Sequence, residues 1–301
     1  MNDFSGKRAI VIINPVSGKR TTKSQLYDIT ALFSAQGLET TVYTTTCAGD
    51  ACRMARERGA DFDIMVVRGG DGTLNEVVNG LMQLEKRPVL GYIPSGSTND
   101  LARTLGIPPD TQEALQIVMS GQPLWLDLGL FNGQSYYTYT ASFGAFVEIS
   151  YATPQKLKNL FGRNAYFLGA GKSLKNVHRI PGKVTTAEGF EFEGDFAFAS
   201  VTNSTSVAGL IKLPRADVDL GDGMFELIIA AYPDKFSKLL RNGVGMVMKD
   251  FSREGVYYVK TRRAAFEFGE SVPWTLDGEF GGAHTHAVVE NVHNAVELFR
   301  R

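Results

Sequence analysis

Cysteine is nearly absent: 301 residues carry only Cys47 and Cys52. Two cysteines exclude a disulfide framework and a four-cysteine zinc site, and suit a reducing cytosol. Long apolar runs are absent too. The best stretch, Phe225 to Tyr232 (FELIIAAY), has the length of a strand, so no bilayer-spanning helix is expected. The start MNDFSGKRAIVIINP lacks the apolar core of a secretory signal. Excess charge is missing as well. Lys and Arg total 31 and Asp and Glu total 32, a net charge of −1, which excludes whole-molecule polyelectrolyte binding to nucleic acid. With 44% hydrophobic and 21% charged residues, the composition is that of a folded globular chain rather than a disordered one. There is no internal repeat and no low-complexity linker. Several phosphate motifs are missing: G-x-x-x-x-G-K-[ST], the third glycine of a dinucleotide fingerprint, and the H-R-D and D-F-G elements of protein kinases.

What is present is ordered along the chain. A single core stops growing near roughly 250–300 residues, so two domains are expected. The first 120 residues alternate strand and helix: strands at 8–13, 38–44, 63–67 and 88–93, helices at 24–36, 50–58, 73–84, 99–105 and 111–120. Continuous apolar strands separated by helices predict a parallel sheet covered on both faces. After Gly121 the pattern changes. Leu124 to Phe131, the turn pair Asn132-Gly133, and Tyr136 to Ser142 read as a hairpin. Strands follow at 183–187, 190–201, 224–231, 256–261 and 264–268, with helices at 153–177 and 235–249. The expected domains are an α/β domain of residues 1–123, with a C-terminal return at 286–301, and a β-rich domain of residues 124–285.

The segment Arg68-Gly69-Gly70-Asp71-Gly72-Thr73-Leu74-Asn75-Glu76 joins a buried strand to a helix. Its glycines permit a tight bend with no side chain in a ligand's way, and the helix start offers N–H groups and a positive dipole end. A carboxylate beside phosphate is repulsive unless a cation intervenes, so Asp71 suggests Mg²⁺. A plain strand-to-helix turn, with Asp71 as N-cap, is the other reading. Two more polar turns follow strands of the same sheet: Asn14-Pro15-Val16-Ser17-Gly18-Lys19-Arg20 and Pro94-Ser95-Gly96-Ser97-Thr98-Asn99-Asp100. In an open parallel sheet such turns line one crevice, where ligands bind.

Asn14-Pro15-x-Ser17-Gly18, Gly69-Gly70-Asp71-Gly72-Thr73 and Gly96-x-x-Asn99-Asp100, in this order and spacing, resemble the diacylglycerol kinase catalytic domain of bacterial soluble lipid kinases. Leu220-Gly221-Asp222-Gly223-Met224-Phe225 resembles that family's structural-magnesium loop, and Leu276-Asp277-Gly278-Glu279-Phe280 its D-G-E motif. Tyr151 to Lys158 looks like the branch from Gram-positive bacteria. The G-G-D-G-T element is also found in sphingosine kinases, NAD kinases and phosphofructokinases. The resemblance implies a nucleotide-binding α/β domain of NAD kinase or phosphofructokinase type, joined to a C-terminal β-sandwich that takes the lipid. It implies ATP-dependent phosphorylation of diacylglycerol to phosphatidic acid. Asn14, Pro15, Val16, Ser17, Gly18, Thr45, Gly70, Asp71, Gly72, Thr73, Leu74, Asn75, Glu76 and Ser97 would contact ATP. Asp71 and Asp100 would organise the catalytic Mg²⁺. Asp222, with the carbonyls of Asp219 and Met224, would hold a structural Mg²⁺, although Gly221 stands where an acidic residue is frequent. Glu279, with Asp277, would deprotonate the lipid hydroxyl. The enzyme would be cytoplasmic and peripheral at the inner membrane face, and a homodimer is left open.

Other substrates stay open: sphingosine, phosphatidylglycerol or NAD. So does a nucleotide-binding regulator without turnover, although Asp71, Asp100, Asp277 and Glu279 are all present. On an extended strand Asp277 and Glu279 would face the same side, which would let one carboxylate tune the other; an exposed acidic turn at Asp277-Gly278 is the other reading, and the one the residues favour without the resemblance. From Ile149 to Ala187 there is no Asp or Glu, while Lys156, Lys158, Arg163, Lys172, Lys175, Arg179 and Lys183 alternate with apolar residues. That stretch suits an anionic membrane surface, or equally a solvated basic face. Trp125 and Trp274 read as core or interface anchors.

Overall fold

The computed structural model describes residues 4–18, 23–145, 177–207, 211–214, 217–247 and 250–300. The expected helix at 153–177 and the basic residues from Lys156 to Lys175 lie outside the described residues, apart from Val177. The chain forms two compact units: Met1–Leu128 with Val292–Arg301, and Gly129–Asn291.

The first unit is built on β1 (Arg8–Ile13), α1 (Lys23–Ala35), β2 (Glu39–Thr44), α2 (Asp50–Arg58), β3 (Ile64–Gly69), α3 (Asp71–Leu81), β4 (Val89–Pro94), α4 (Asp100–Leu105) and α5 (Thr111–Ser120). The strands lie in the order β2-β1-β3-β4, all parallel, with Ile10 opposite Thr41 and Met65, and Val66 opposite Gly91. Every residue of β3 and all but Arg8 of β1 is buried, which is why these strands carry no polar alternation. The stretch from Val292 returns to this unit. Leu298 pairs with Leu90 in parallel, Phe299 meets the edge of Phe4 at 6.4 Å, and Arg87 donates to the Ala295 carbonyl at 3.1 Å.

From β5 (Gln122–Phe131) the chain enters the second unit. Asn132 and Gly133 take φ of 51° and 67°, the left-handed pair of a type I′ turn, and lead into β6 (Ser135–Tyr137) antiparallel to β5. The single strand expected over Tyr136 to Ser142 is instead broken at residues 138–139 and resumes as β7 (Thr140–Gly144). Next come β8 (Ile180–Thr186), β9 (Glu191–Thr202), a short pair β10 (Ser206–Val207) and β11 (Ile211–Lys212), then β12 (Phe225–Ala231), α6 (Phe236–Val247), β13 (Val256–Thr261), β14 (Arg263–Leu276) and β15 (Glu279–Arg300). The ladder β13-β12-β9-β7-β14 is antiparallel throughout. One of its faces packs an aromatic core in which Phe143 lies 4.7 Å from Trp274, 5.5 Å from Phe196 and 5.6 Å from Phe266. The other face of the same strands carries a buried row of hydroxyls. Thr140, Ser142 and Ser200 bond one another at 2.8–3.0 Å. Trp274 is a core residue as expected, whereas Trp125 is 46% exposed and anchors no core.

Candidate active site

Because β1, β3 and β4 are adjacent and parallel, the turns that follow them meet at one edge of the first unit. Asn14 and Ser95 donate their backbone N–H groups to the carbonyls of Arg68 and Gly69 at 3.0 and 2.8 Å, continuing the ladder beyond the strands. Side chains then tie the turns together. Asn14 donates to the Thr73 hydroxyl at 2.9 Å, and the Ser17 and Ser95 hydroxyls pair at 2.6 Å. The backbones approach so closely that side chains have no place there. A Cβ on Gly18, which has φ +65°, would lie 1.7 Å from the Ser95 carbonyl oxygen, and one on Gly96 would lie 2.7 Å from the Gly70 Cα. The Asn99 amide closes the third turn on itself, accepting from the Gly96 N–H and donating to its carbonyl, both at 2.9 Å.

The N-cap of α3 is Gly70, in extended backbone and with no side-chain cap. Asp71 is therefore the first helical residue rather than the cap. Its Oδ2 accepts the backbone N–H of Asp100 at 3.2 Å, which joins the starts of α3 and α4, each of which begins with an aspartate. The nearby Tyr92 hydroxyl has its pKa raised by burial first, and then by the charges of Asp71 and Asp100. Mg²⁺ is commonly held by one or two carboxylates with substrate phosphates completing the shell, so this pair fits it.

The other residues of the expected nucleotide set fall at or beside this edge, with different exposures. Thr73 and Leu74 are buried, and Leu74 sits in the core, so only its backbone can meet a ligand. Val16 is 87% exposed and Ser97 is exposed. Thr45 is buried, its N–H on the Ile13 carbonyl at 2.9 Å. A network that motif reading does not reach fixes the next turn. The Asp50 carboxylate accepts from the Thr46 N–H, the Tyr43 hydroxyl and Arg53. These bonds, Thr46 first, bring its pKa down to about 2. Glu76 accepts the Ala51 N–H at 3.2 Å, so this carboxylate caps α2.

In the second unit, Asp277 and Glu279 do not share an extended strand. Asp277 and Gly278, with φ of 50° and 85°, form a two-residue turn between Leu276 and Glu279, which face each other across β14 and β15. The Asp277 carboxylate points inward, 5% exposed. Its Oδ2 accepts from the N–H and hydroxyl of Thr138 at 2.7 and 2.8 Å, and its Oδ1 from the N–H groups of Tyr139 and Thr140 at 2.9 and 3.1 Å. These bonds are also what interrupts the strand between β6 and β7: its N–H groups turn to a carboxylate instead of a neighbouring strand. Burial raises the Asp277 pKa, opposed by those backbone donors. Glu279 is exposed at the start of β15.

The turn expected to hold a structural metal makes contacts of its own. Asp222 Oδ1 accepts the Met224 N–H at 2.9 Å and Oδ2 accepts the Lys260 ammonium at 3.0 Å. The Met224 carbonyl accepts from Asn291 at 3.4 Å, and Asp219 Oδ1 takes the Gly221 N–H at 3.2 Å. Among the described residues no three His, Cys, Asp or Glu side chains group so as to hold a metal ion.

Comparison with known proteins gives the family. Residues 8–131 match the diacylglycerol kinase catalytic domain. The chain is 38% identical over 278 residues to a diacylglycerol kinase of Bacillus subtilis (strain 168), covering 92% of this chain and 91% of that protein. It is 35% identical to one of Staphylococcus carnosus (strain TM300), covering 92% and 90%. A solved structure of a diacylglycerol kinase from Bacillus anthracis str. Sterne shares the fold, with a TM-score of 0.76 at 23% identity over 98% of this chain and 97% of that one. By its sequence along nearly its whole length, the chain belongs to the diacylglycerol kinase family.

Proposed function

We propose that this chain transfers the γ-phosphoryl group of ATP to the free hydroxyl of diacylglycerol, yielding phosphatidic acid and ADP. In this reading the first unit is the nucleotide domain, of NAD kinase type, and the second is the lipid domain, a β-sandwich. The observation that carries the proposal is the interlocking of three glycine-bearing turns around the start of α3, beside Asp71 and Asp100. Phosphoryl transfer demands positioned phosphates, neutralised charge and a base at the attacking hydroxyl, and little covalent work.

The chain's own groups meet each demand in turn. The backbone at Gly70 to Thr73 and the uncapped start of α3 receive phosphate oxygens. Asn14 and Thr73, held against each other, fix the first and second turns in register. Asp71 and Asp100 would hold Mg²⁺, which when bound neutralises charge on the phosphates. Glu279 takes the proton of the lipid hydroxyl as its oxygen bonds to phosphorus and the bond to the β-phosphate oxygen breaks. Asp277 is a positioning residue: by fixing residues 138–140 it sets the turn that presents Glu279. The basic segment 149–187 would bring the enzyme to an anionic lipid surface.

The test is label transfer from γ-labelled ATP to dioleoylglycerol micelles, run beside sphingosine, phosphatidylglycerol and NAD. Diacylglycerol should be labelled fastest, and Glu279→Gln should slow the transfer by about 10²–10⁴-fold, the usual yield of a general base. Preferential labelling of another acceptor, or full turnover by Glu279→Gln, would overturn the assignment.

A further inference from the structure

The turn from Asp219 to Met224 carries the sequence of a metal-binding loop, yet its one expected side-chain ligand, Asp222, already uses both carboxylate oxygens. Asp222 uses Oδ1 to hold its own turn through the Met224 N–H, and Oδ2 to bind Lys260. The Met224 carbonyl serves Asn291, and the Leu220 carbonyl serves Asn203 at 3.2 Å. Gly221 offers no side chain at all. Mg²⁺ requires near-octahedral oxygen donors at about 2.0–2.1 Å and is reluctant to shed its waters. A dication on Asp222 would also stand against the Lys260 ammonium, two like charges sharing one carboxylate.

The placement of Lys260 is set by the sheet. It lies on β13 directly opposite Glu226 of β12, so the two side chains share a face. Glu226 is 1% exposed, and among the described residues its Oε2 has no hydrogen-bond partner. A carboxylate so enclosed is either neutralised or met by a cation. The Lys260 ammonium stands 3.8 Å from Glu226 Oε1 and 3.0 Å from Asp222 Oδ2, bridging the turn and the strand that follows it.

We propose that in this chain Lys260 replaces the structural metal ion: its ammonium clamps the 219–224 turn onto β12 and β13, and the turn binds no Mg²⁺. The inference concerns the second unit's scaffold and does not depend on the substrate proposed above.

The test is calorimetric titration of Mg²⁺ into nucleotide-free protein, comparing wild type with Asp222→Asn, together with melting points in EDTA and in excess Mg²⁺. The two isotherms should coincide, and the wild-type melting point should not move on removing Mg²⁺ in any way that Asp222→Asn does not share. Any heat common to both belongs elsewhere and supports the proposal. Lys260→Met should melt roughly 2–4 °C lower than wild type and acquire a rise in melting point with Mg²⁺. A binding event present in wild type and lost in Asp222→Asn, or a wild-type melting point that falls in EDTA while that of Asp222→Asn does not, would overturn it. Should Lys260→Met fail to fold, the comparison of wild type with Asp222→Asn still decides.

Discussion

Replacing Asp277 by Asn separates a structural from a chemical role for the D-G-E turn. The carboxylate accepts four hydrogen bonds, two on each oxygen, from Thr138, Tyr139 and Thr140. Asn keeps one accepting oxygen. Its NH₂ must face either the Thr138 pair of donors or the Tyr139 and Thr140 pair, so two bonds are lost whichever way the amide turns. A hydrogen bond to a charged group contributes about 1.5–3 kcal/mol, so the change costs about 3–6 kcal/mol. A domain's whole stability is only about 5–15 kcal/mol. For units of this size that corresponds to a fall in melting point of at least about 6 °C. The reporter is built in: Trp274 is wholly buried in the core of the second unit, so tryptophan emission follows its unfolding, with Trp125 contributing a more constant, exposed background. Glu279→Gln is the control. Glu279 is exposed, so its stability should stay within about 0.5 kcal/mol of wild type while turnover collapses. Asp277→Asn should lose both. An Asp277→Asn protein that melts within about 1 °C of wild type would refute the positioning role and return Asp277 to the chemistry.

Two further outcomes are expected of the first unit. Gly18→Ala should cost about 1–2 kcal/mol from its left-handed backbone and, by pushing on the Ser95 carbonyl, weaken nucleotide binding at least about tenfold. Gly106→Ala has φ +72° but open space around its Cβ, so it should share the strain and keep the affinity; equal binding by all three proteins in a fluorescent-nucleotide titration would contradict the interlocked-turn account. Asp50 has its pKa lowered from 3.8 to about 2, so its stabilising contribution is complete above the higher value and disappears as pH falls through the lower one. Urea midpoints of Asp50→Asn should accordingly fall less steeply than those of wild type between pH 4 and 2, and parallel curves would remove the Thr46, Tyr43 and Arg53 network from the explanation.

What the sequence disclosed, and what it withheld, follows from how local each signal is. The parallel strands announced themselves because both faces of β1 and β3 are covered, which forbids polar alternation. The Asn132-Gly133 turn was legible from two adjacent residues. The same dipeptide chemistry was available at Asp277-Gly278, and it outweighed the extended reading: both residues take positive φ, and the carboxylates part. The break at residues 138–139 could not be foreseen, because the acceptor that ends the strand lies almost half the chain away. Lys260 is hidden for the same reason: the Asp222 turn carries a metal-loop pattern, and only the register of β12 against β13 brings an ammonium to it. Asp50 shows a related limit, since no motif marks it, yet its carboxylate braces the approach to α2 through Thr46, Tyr43 and Arg53.

The strand that returns from Val292 imposes an order of events on biosynthesis. Translation delivers β1 to β4 early, yet Leu298, the partner of Leu90, and Phe299, which shields Phe4, emerge only after the entire second unit has been made. Until then the nascent N-terminal half leaves the flank of β4 without its final partner, an open edge of the kind that invites wrong pairing.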